Sequence, residues 1–91
     1  MSETGGTASL LEFPCAFPLK VIGLNRDSLV EEILAVVLRH ATDFAPESTE
    51  MRPSAGGKYV GLTCTIRATS REQLDALYRE LTSHPLVRMV L

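Results

Sequence analysis

Two histidines and two cysteines are the first residues to test for chemistry. His40, His84, Cys15 and Cys64 are all metal-ligand types. However, the cysteines stand 49 positions apart, and no pair has the close C-x-x-C type of spacing that metal sites use. No metal and no cofactor are expected. Both histidines fall where helices are expected to end, and a partial positive charge is favoured there. Cys64 lies in an apolar alternation and is expected in the core. Cys15, between Pro14 and Ala16, is expected to be partly exposed. Two unbridged thiols suit a reducing, cytoplasmic setting.

Ser28 and Ser70 are candidate nucleophiles by type. Each stands three residues before Glu31 or Gln73, the spacing of a helix capping box, so helix starts account for both. Gly56-Gly57-Lys58 has the letters of a phosphate loop but lacks the following Ser or Thr, and it opens a strand, so it reads as a hairpin. The segment 23–29 is the best small-ligand candidate. It opens a helix whose free amides and dipole favour an anion. Gly23, Asn25, Arg26 and Ser28 would line it, for a small carboxylate or amino acid. An arginine there could also hold phosphate, but chemistry of that kind needs a strand carboxamide to place water. No Asn or Gln occurs in an expected strand, so no enzymatic activity is expected.

The elements that must position these residues come from one small domain. The chain has 91 residues, 45% hydrophobic and 22% charged, which is near the globular average. Nine basic groups against eleven acidic ones give net −2, which excludes a uniformly cationic nucleic-acid binder. No apolar run approaches the ~18–20 residues of a membrane helix, so no membrane partner is expected. The start of the chain lacks the basic and apolar regions of a secretory signal. Residues 1–9 are expected to be a flexible tail, followed by one domain over 10–91. Within the domain's opening stretch, residues 10–14 would be anchored by Phe13.

Residues 17–23 read as a first strand, apolar nearly throughout and therefore buried on both faces. Leu29, Ile33, Val36, Val37 and His40 then recur at helical spacing, and the helix should end near 40–41. Residues 47–52 alternate weakly and read as an edge strand closed by Pro53. Residues 54–57 form a hairpin loop. Residues 59–68 are the clearest strand, with Val60, Leu62, Cys64, Ile66 and Ala68 on one side. Leu74, Leu77, Tyr78 and Leu81 give a second helix stopping near Ser83. Val87, Met89 and Leu91 alternate with Arg88 and Val90 in a last strand. The order β-α-β-β-α-β is the α+β ferredoxin-like pattern. Right-handed crossovers put both helices on one face of a four-stranded antiparallel sheet of order 4-1-3-2.

The second sheet face is then uncovered. Lys20, Thr63, Thr65, Arg67 and Arg88 would point outward on it, with Ile22, Gly61 and Val90, and with Arg52 at its edge. A basic face on an acidic chain, with Thr and Val among the arginines, suits contact with a protein partner or a second copy of the chain. Docking through an edge strand is the other expected route. Nucleic acid is not expected. A sheet that reads RNA needs stacked aromatics on central strands, and only Tyr59 stands at a strand end.

Three blocks carry a family resemblance. Leu11-Glu12-Phe13-Pro14, Phe17 and Lys20-Val21-x-Gly23 form the first. Pro53-Ser54 and Gly57-x-Tyr59 form the second. Leu77-Tyr78-x-x-Leu81 and the ending Val87-Arg88-Met89-Val90-Leu91 form the third. From about Leu10 to Leu91 the chain resembles the YbeD-like family of small bacterial proteins. The resemblance implies a ferredoxin-like fold similar to the ACT domain, which binds amino acids and regulates metabolic enzymes. It also implies an association with lipoate metabolism, since members are often encoded near its octanoyltransferase. It implies no catalytic residues. The ACT ligand loop often reads Gly, then Asp-Arg-Pro-Gly-Leu. Arg26 and Leu29 match it, while Asn25, Asp27 and Ser28 replace Asp, Pro and the second Gly.

Overall fold

In the computed structural model, which describes residues 12–91, the alternation of apolar and polar residues decides the architecture. Strand β1 (Cys15–Leu24) and strand β3 (Tyr59–Ala68) pair antiparallel along their whole length, from Cys15 opposite Ala68 to Leu24 opposite Tyr59. Every second residue of this ladder turns one way. Leu19, Val21, Leu62, Cys64 and Ile66 are buried there under helices α1 (Leu29–His40) and α2 (Arg71–Thr82). Strands β2 (Glu50–Pro53) and β4 (Val87–Val90) flank the pair, giving the order β2-β3-β1-β4. This is the expected 4-1-3-2 sheet read from its other edge. Leu29, Ile33, Val36 and Val37 of α1 and Leu74, Leu77 and Leu81 of α2 close the core, and no polar residue among those described is buried. Phe13 packs against this core, as expected of an anchor. The expected tail at 1–9, and Leu10 and Leu11, lie outside the described residues.

Five expectations are corrected. β1 is buried on one face only, because both helices lie on the same side, and Ala16, Pro18 and Lys20 are exposed. Strand β1 also starts two residues earlier than expected and runs through Pro18. In antiparallel pairing the backbone groups of successive residues point to opposite neighbours. Lys20 exchanges backbone hydrogen bonds with Leu91 at 3.2 and 2.8 Å. Pro18, two residues away, therefore points its missing N–H to the same side, beyond the end of the β4 ladder, where no bond is lost.

The edge strand begins at Glu50, three residues later than the alternation suggests. Pro46 starts a 3-10 turn over Pro46–Ser48, in which the Thr49 amide donates to the Pro46 carbonyl at 3.1 Å. Proline's fixed φ suits that first helical position. The hairpin at 54–58 is as expected, with Gly57 at φ +73, a region glycine enters without steric cost.

The last strand reverses part of its expected parity. Val21 pairs with Val90 and Ile22 with Met89, but Gly23 pairs with Val87. Arg88 is the extra residue of a β-bulge. Val90 therefore shares the helix side with Val21 and packs on the core, while Met89 and Leu91 turn outward, 51% and 57% exposed.

The helix starts also differ. Ser70 accepts the Gln73 amide at 3.0 Å, as its box requires. Ser28 makes no side-chain cap, and the Ser28–Glu31 box is not formed. The Ser28 carbonyl accepts the Glu32 amide at 3.0 Å.

Candidate functional site

The uncovered sheet face can be mapped row by row, since directly opposed residues share a face. One row runs Glu50, Thr63, Lys20 and Leu91 across all four strands. The next runs Arg52, Gly61, Ile22 and Met89. Beyond them Tyr59 opposes Leu24 at one end, and Thr65–Pro18 and Arg67–Ala16 continue at the other. The face thus grades from a charged β2 side to an apolar β4 side.

Gly61 shapes the middle of this face. A Cβ built there would lie 3.7 Å from both the Lys20 Cε and the Arg52 carbonyl, so the lysine stem already leans over the bare backbone. Two shallow hollows flank the Lys20–Arg52 diagonal. One of about 270 Å³ includes Glu50 and Thr63, and one of about 210 Å³ includes Ile22, Pro53 and Tyr59. Gly61 lies in both. A wider depression of about 480 Å³ sits at the far end of the sheet, between Cys15, Phe44 and Arg67.

The other residues expected on this face are placed as follows. Thr63 and Thr65 point outward on β3, opposite Lys20 and Pro18. Arg67 also points outward, with its guanidinium 4.0 Å from Asp43. Arg88, in the bulge, has no partner on β1, and its guanidinium donates to the Pro85 carbonyl at 3.0 Å. Met89 and Leu91 take the outward positions that the sequence assigned to Arg88 and Val90. A single inserted residue in a four-residue strand leaves no trace in hydrophobic period. Arg52 is the basic residue that the register brings nearest Lys20 across the sheet.

The loop at 23–29 holds its parts differently. The Asn25 side chain donates to the Gly57 carbonyl at 2.9 Å, and its amide donates to Lys58 at 2.9 Å, tying this turn to the hairpin. Gly23 is packed so closely that an added Cβ would meet the Leu86 carbonyl at 2.8 Å. At the helix start, the Glu32 carboxylate stands near the Ser28 hydroxyl and 2.7 Å from the His84 ring, and these groups hold it below its ordinary range. A carboxylate of the chain itself thus occupies the favourable end of the α1 dipole. Arg26 is exposed beside it.

Both histidines face carboxylates across the helix pair. His84 Nε2 lies 2.7 Å from Glu32, and His40 Nε2 lies 2.7 Å from Glu80, which also accepts from Arg39. These contacts span 52 and 40 positions, and no local pattern announces them. The thiols match their expected burial, with Cys64 enclosed and Cys15 half-buried. Burial pushes the Cys64 thiol up, partly offset by the Thr49 hydroxyl, so its nucleophilic form is disfavoured. Among the described residues no group of three His, Cys, Asp or Glu is placed to hold a metal, and no helix is long and apolar enough to cross a membrane.

Comparison with known proteins agrees with this architecture. Residues 8–91 match a family model described as "Protein of unknown function (DUF493)". A UPF0250 protein of Leptothrix cholodnii is 55% identical over 91 residues, all of both chains. A UPF0250 protein of Janthinobacterium sp. is 54% identical over the same span and coverage. Among solved structures, a protein from H. pylori superposes with a TM-score of 0.68 at 16% identity, covering 100% of this chain and 98% of its own. The ACT domain from GTP pyrophosphokinase of Chlorobium tepidum superposes with a TM-score of 0.57 at 17% identity, covering 85% and 97%. At such identities the two superpositions carry the fold alone.

Proposed function

The chain belongs to the DUF493 family, and from that premise we propose that it is a non-catalytic cytoplasmic binding module that docks a protein partner on the open face of its sheet. The observation that carries this reading is the face itself. It presents Lys20, Arg52, Thr63 and Thr65 beside outward Ile22, Met89 and Leu91, with neither described helix over it. Charged and hydroxylated residues beside an apolar strip suit a polypeptide contact.

The edge strand is the weaker surface. The Ser54 amide donates to the Tyr59 carbonyl of β3 at 2.8 Å. Alternation then turns Pro53, which has no N–H, toward the free edge, leaving Met51 as the one β2 residue that offers both backbone groups there. The catalytic alternative is poorly supplied, because Ser70 caps α2, Ser28 is engaged by Glu32 and Cys64 is buried.

Magnitude sets the class of contact. Four strands about 4.8 Å apart and about 3.3 Å per residue make a panel on the order of 450 Å². A standard interface buries about 800 Å² per partner, so this face suits a transient partner or a short segment.

A photo-crosslinking amino acid placed at Thr65, on the face, and at Glu72, on the helix side, tests the reading in cells. Discrete protein adducts from position 65 and none from position 72 are expected. Adducts from position 72 alone overturn it.

A further inference from the structure

We infer that the Lys20–Gly61–Arg52 diagonal recognises an acidic, extended segment of the partner, seating a carboxylate between the two cations; this rests on the docking reading above. Both cations stand on the outer face, on β1 and β2, with the β3 residue between them lacking a side chain. Arg67 and Arg71 each have a carboxylate within reach, at 4.0 and 3.7 Å. No carboxylate among the described residues forms an ion pair with Lys20 or Arg52. Lys58, whose ammonium lies 5.5 Å from the centre of the Tyr59 ring, adds a third positive charge beside the smaller hollow.

The ligand class follows from exposure. Lys20 and Arg52 are both exposed. A free small anion on an exposed pair is screened by salt and gains little. A segment with apolar residues next to its carboxylates gains more, because Ile22 and Met89 lie in the row of Arg52, next to that of Lys20, and lose water under it. The small panel fits a segment better than a globular surface. Glu50 is the one side-chain carboxylate in the two central rows and opposes the ligand.

The bare position 61 supplies a clean variant. An alanine Cβ would meet its neighbours at 3.7 Å, an ordinary contact, so Gly61→Ala fills the seat without straining the fold. The experiment is an amide NMR titration of the full chain with a short capped peptide alternating Glu and Val. Saturable shifts at Lys20, Gly61 and Thr63 are expected. Affinity should fall at least tenfold in Lys20→Glu/Arg52→Glu and several-fold in Gly61→Ala, and rise two- to threefold in Glu50→Gln, with thermal midpoints confirming that each variant folds.

The inference is overturned by the absence of shifts at millimolar peptide, or by shifts that survive the double charge reversal. A Gln-for-Glu peptide that binds equally well makes the face apolar in its choice and overturns it. Acetate alone reproducing the shifts makes it a small-anion site, and a single-stranded oligonucleotide binding more tightly makes it a nucleic-acid site; each overturns the segment. Crosslinks from position 65 that persist in the double reversal would reject this inference and leave the docking reading standing.

Discussion

His84 Nε2 meets the Glu32 carboxylate at 2.7 Å, while its Nδ1 accepts the Leu86 amide at 3.1 Å. The amide fixes which ring nitrogen carries the proton, and that proton points at Glu32. The contact joins the first turn of α1 to the turn entering β4, two segments that nothing in the chain order brings together.

Acid should loosen this joint. The Ser28 hydroxyl and then the His84 ring hold the Glu32 carboxyl below its ordinary 4.5, against a smaller opposing effect of desolvation. Its contribution to stability is therefore fully present above about pH 4.5 and is lost as pH falls through the lower folded value. Urea midpoints followed from neutral pH to about pH 3 should drop, and Glu32→Gln should flatten that drop. An unchanged acid slope in the variant would remove Glu32 from the account.

Gln73 is expected to be worth more than a surface glutamine. Its carbonyl oxygen accepts the Thr69 amide at 2.7 Å, and its Nε2 donates to the His40 carbonyl at 2.8 Å, finishing the end of α1 from the start of α2. Gln73→Ala should cost about 1–2 kcal/mol. Gln73→Glu keeps only the accepting half and should fall between. Chemical denaturation of the three proteins ranks them.

Gly23→Ala should destabilise by about 1–3 kcal/mol, because the added carbon would meet the Leu86 carbonyl at 2.8 Å and Leu29 Cδ1 at 2.9 Å. The backbone carbonyl cannot turn aside as a side chain would. Gly61→Ala is the matched control and should leave the thermal midpoint nearly unchanged.

The two thiols should separate cleanly. A disulfide-exchange reagent should label Cys15 in the native protein and reach Cys64 only on unfolding, since Cys64 is buried. Its folded thiol is raised above 9.0, chiefly by burial. Above that pH the unfolded chain releases a proton that the folded chain retains, so stability falls as pH rises. Tyr78, raised above 10.0 by burial, adds to the fall at higher pH. Urea midpoints across this range check the slope.

These particulars show what a linear sequence can display. The alternation from Val60 to Ala68 marks β3 at its observed bounds, because one covered face imposes a period of two. The Ser70–Gln73 spacing marks the start of α2 for an equally local reason. Arg88 shows the opposite. An inserted residue changes which side chains face outward, yet its cause is the pairing with β1, which lies far away in sequence. The outward Lys20 could be read from parity alone, whereas its neighbour Arg52 depends on the β2–β3 register. The imidazole–carboxylate contacts depend on tertiary packing and have no local signature.

Pro18 and Pro53 each turn a nitrogen without hydrogen toward an open flank of the sheet. A sheet with open margins runs the risk that other copies of the chain add strands there and grow into fibres. A strand arriving from another copy at β2, or on the stretch of β1 that β4 leaves unpaired, finds a donor missing from the ladder it needs. Lengthening is hindered at those two places, while the outer edge of β4, Val87–Val90, carries no proline.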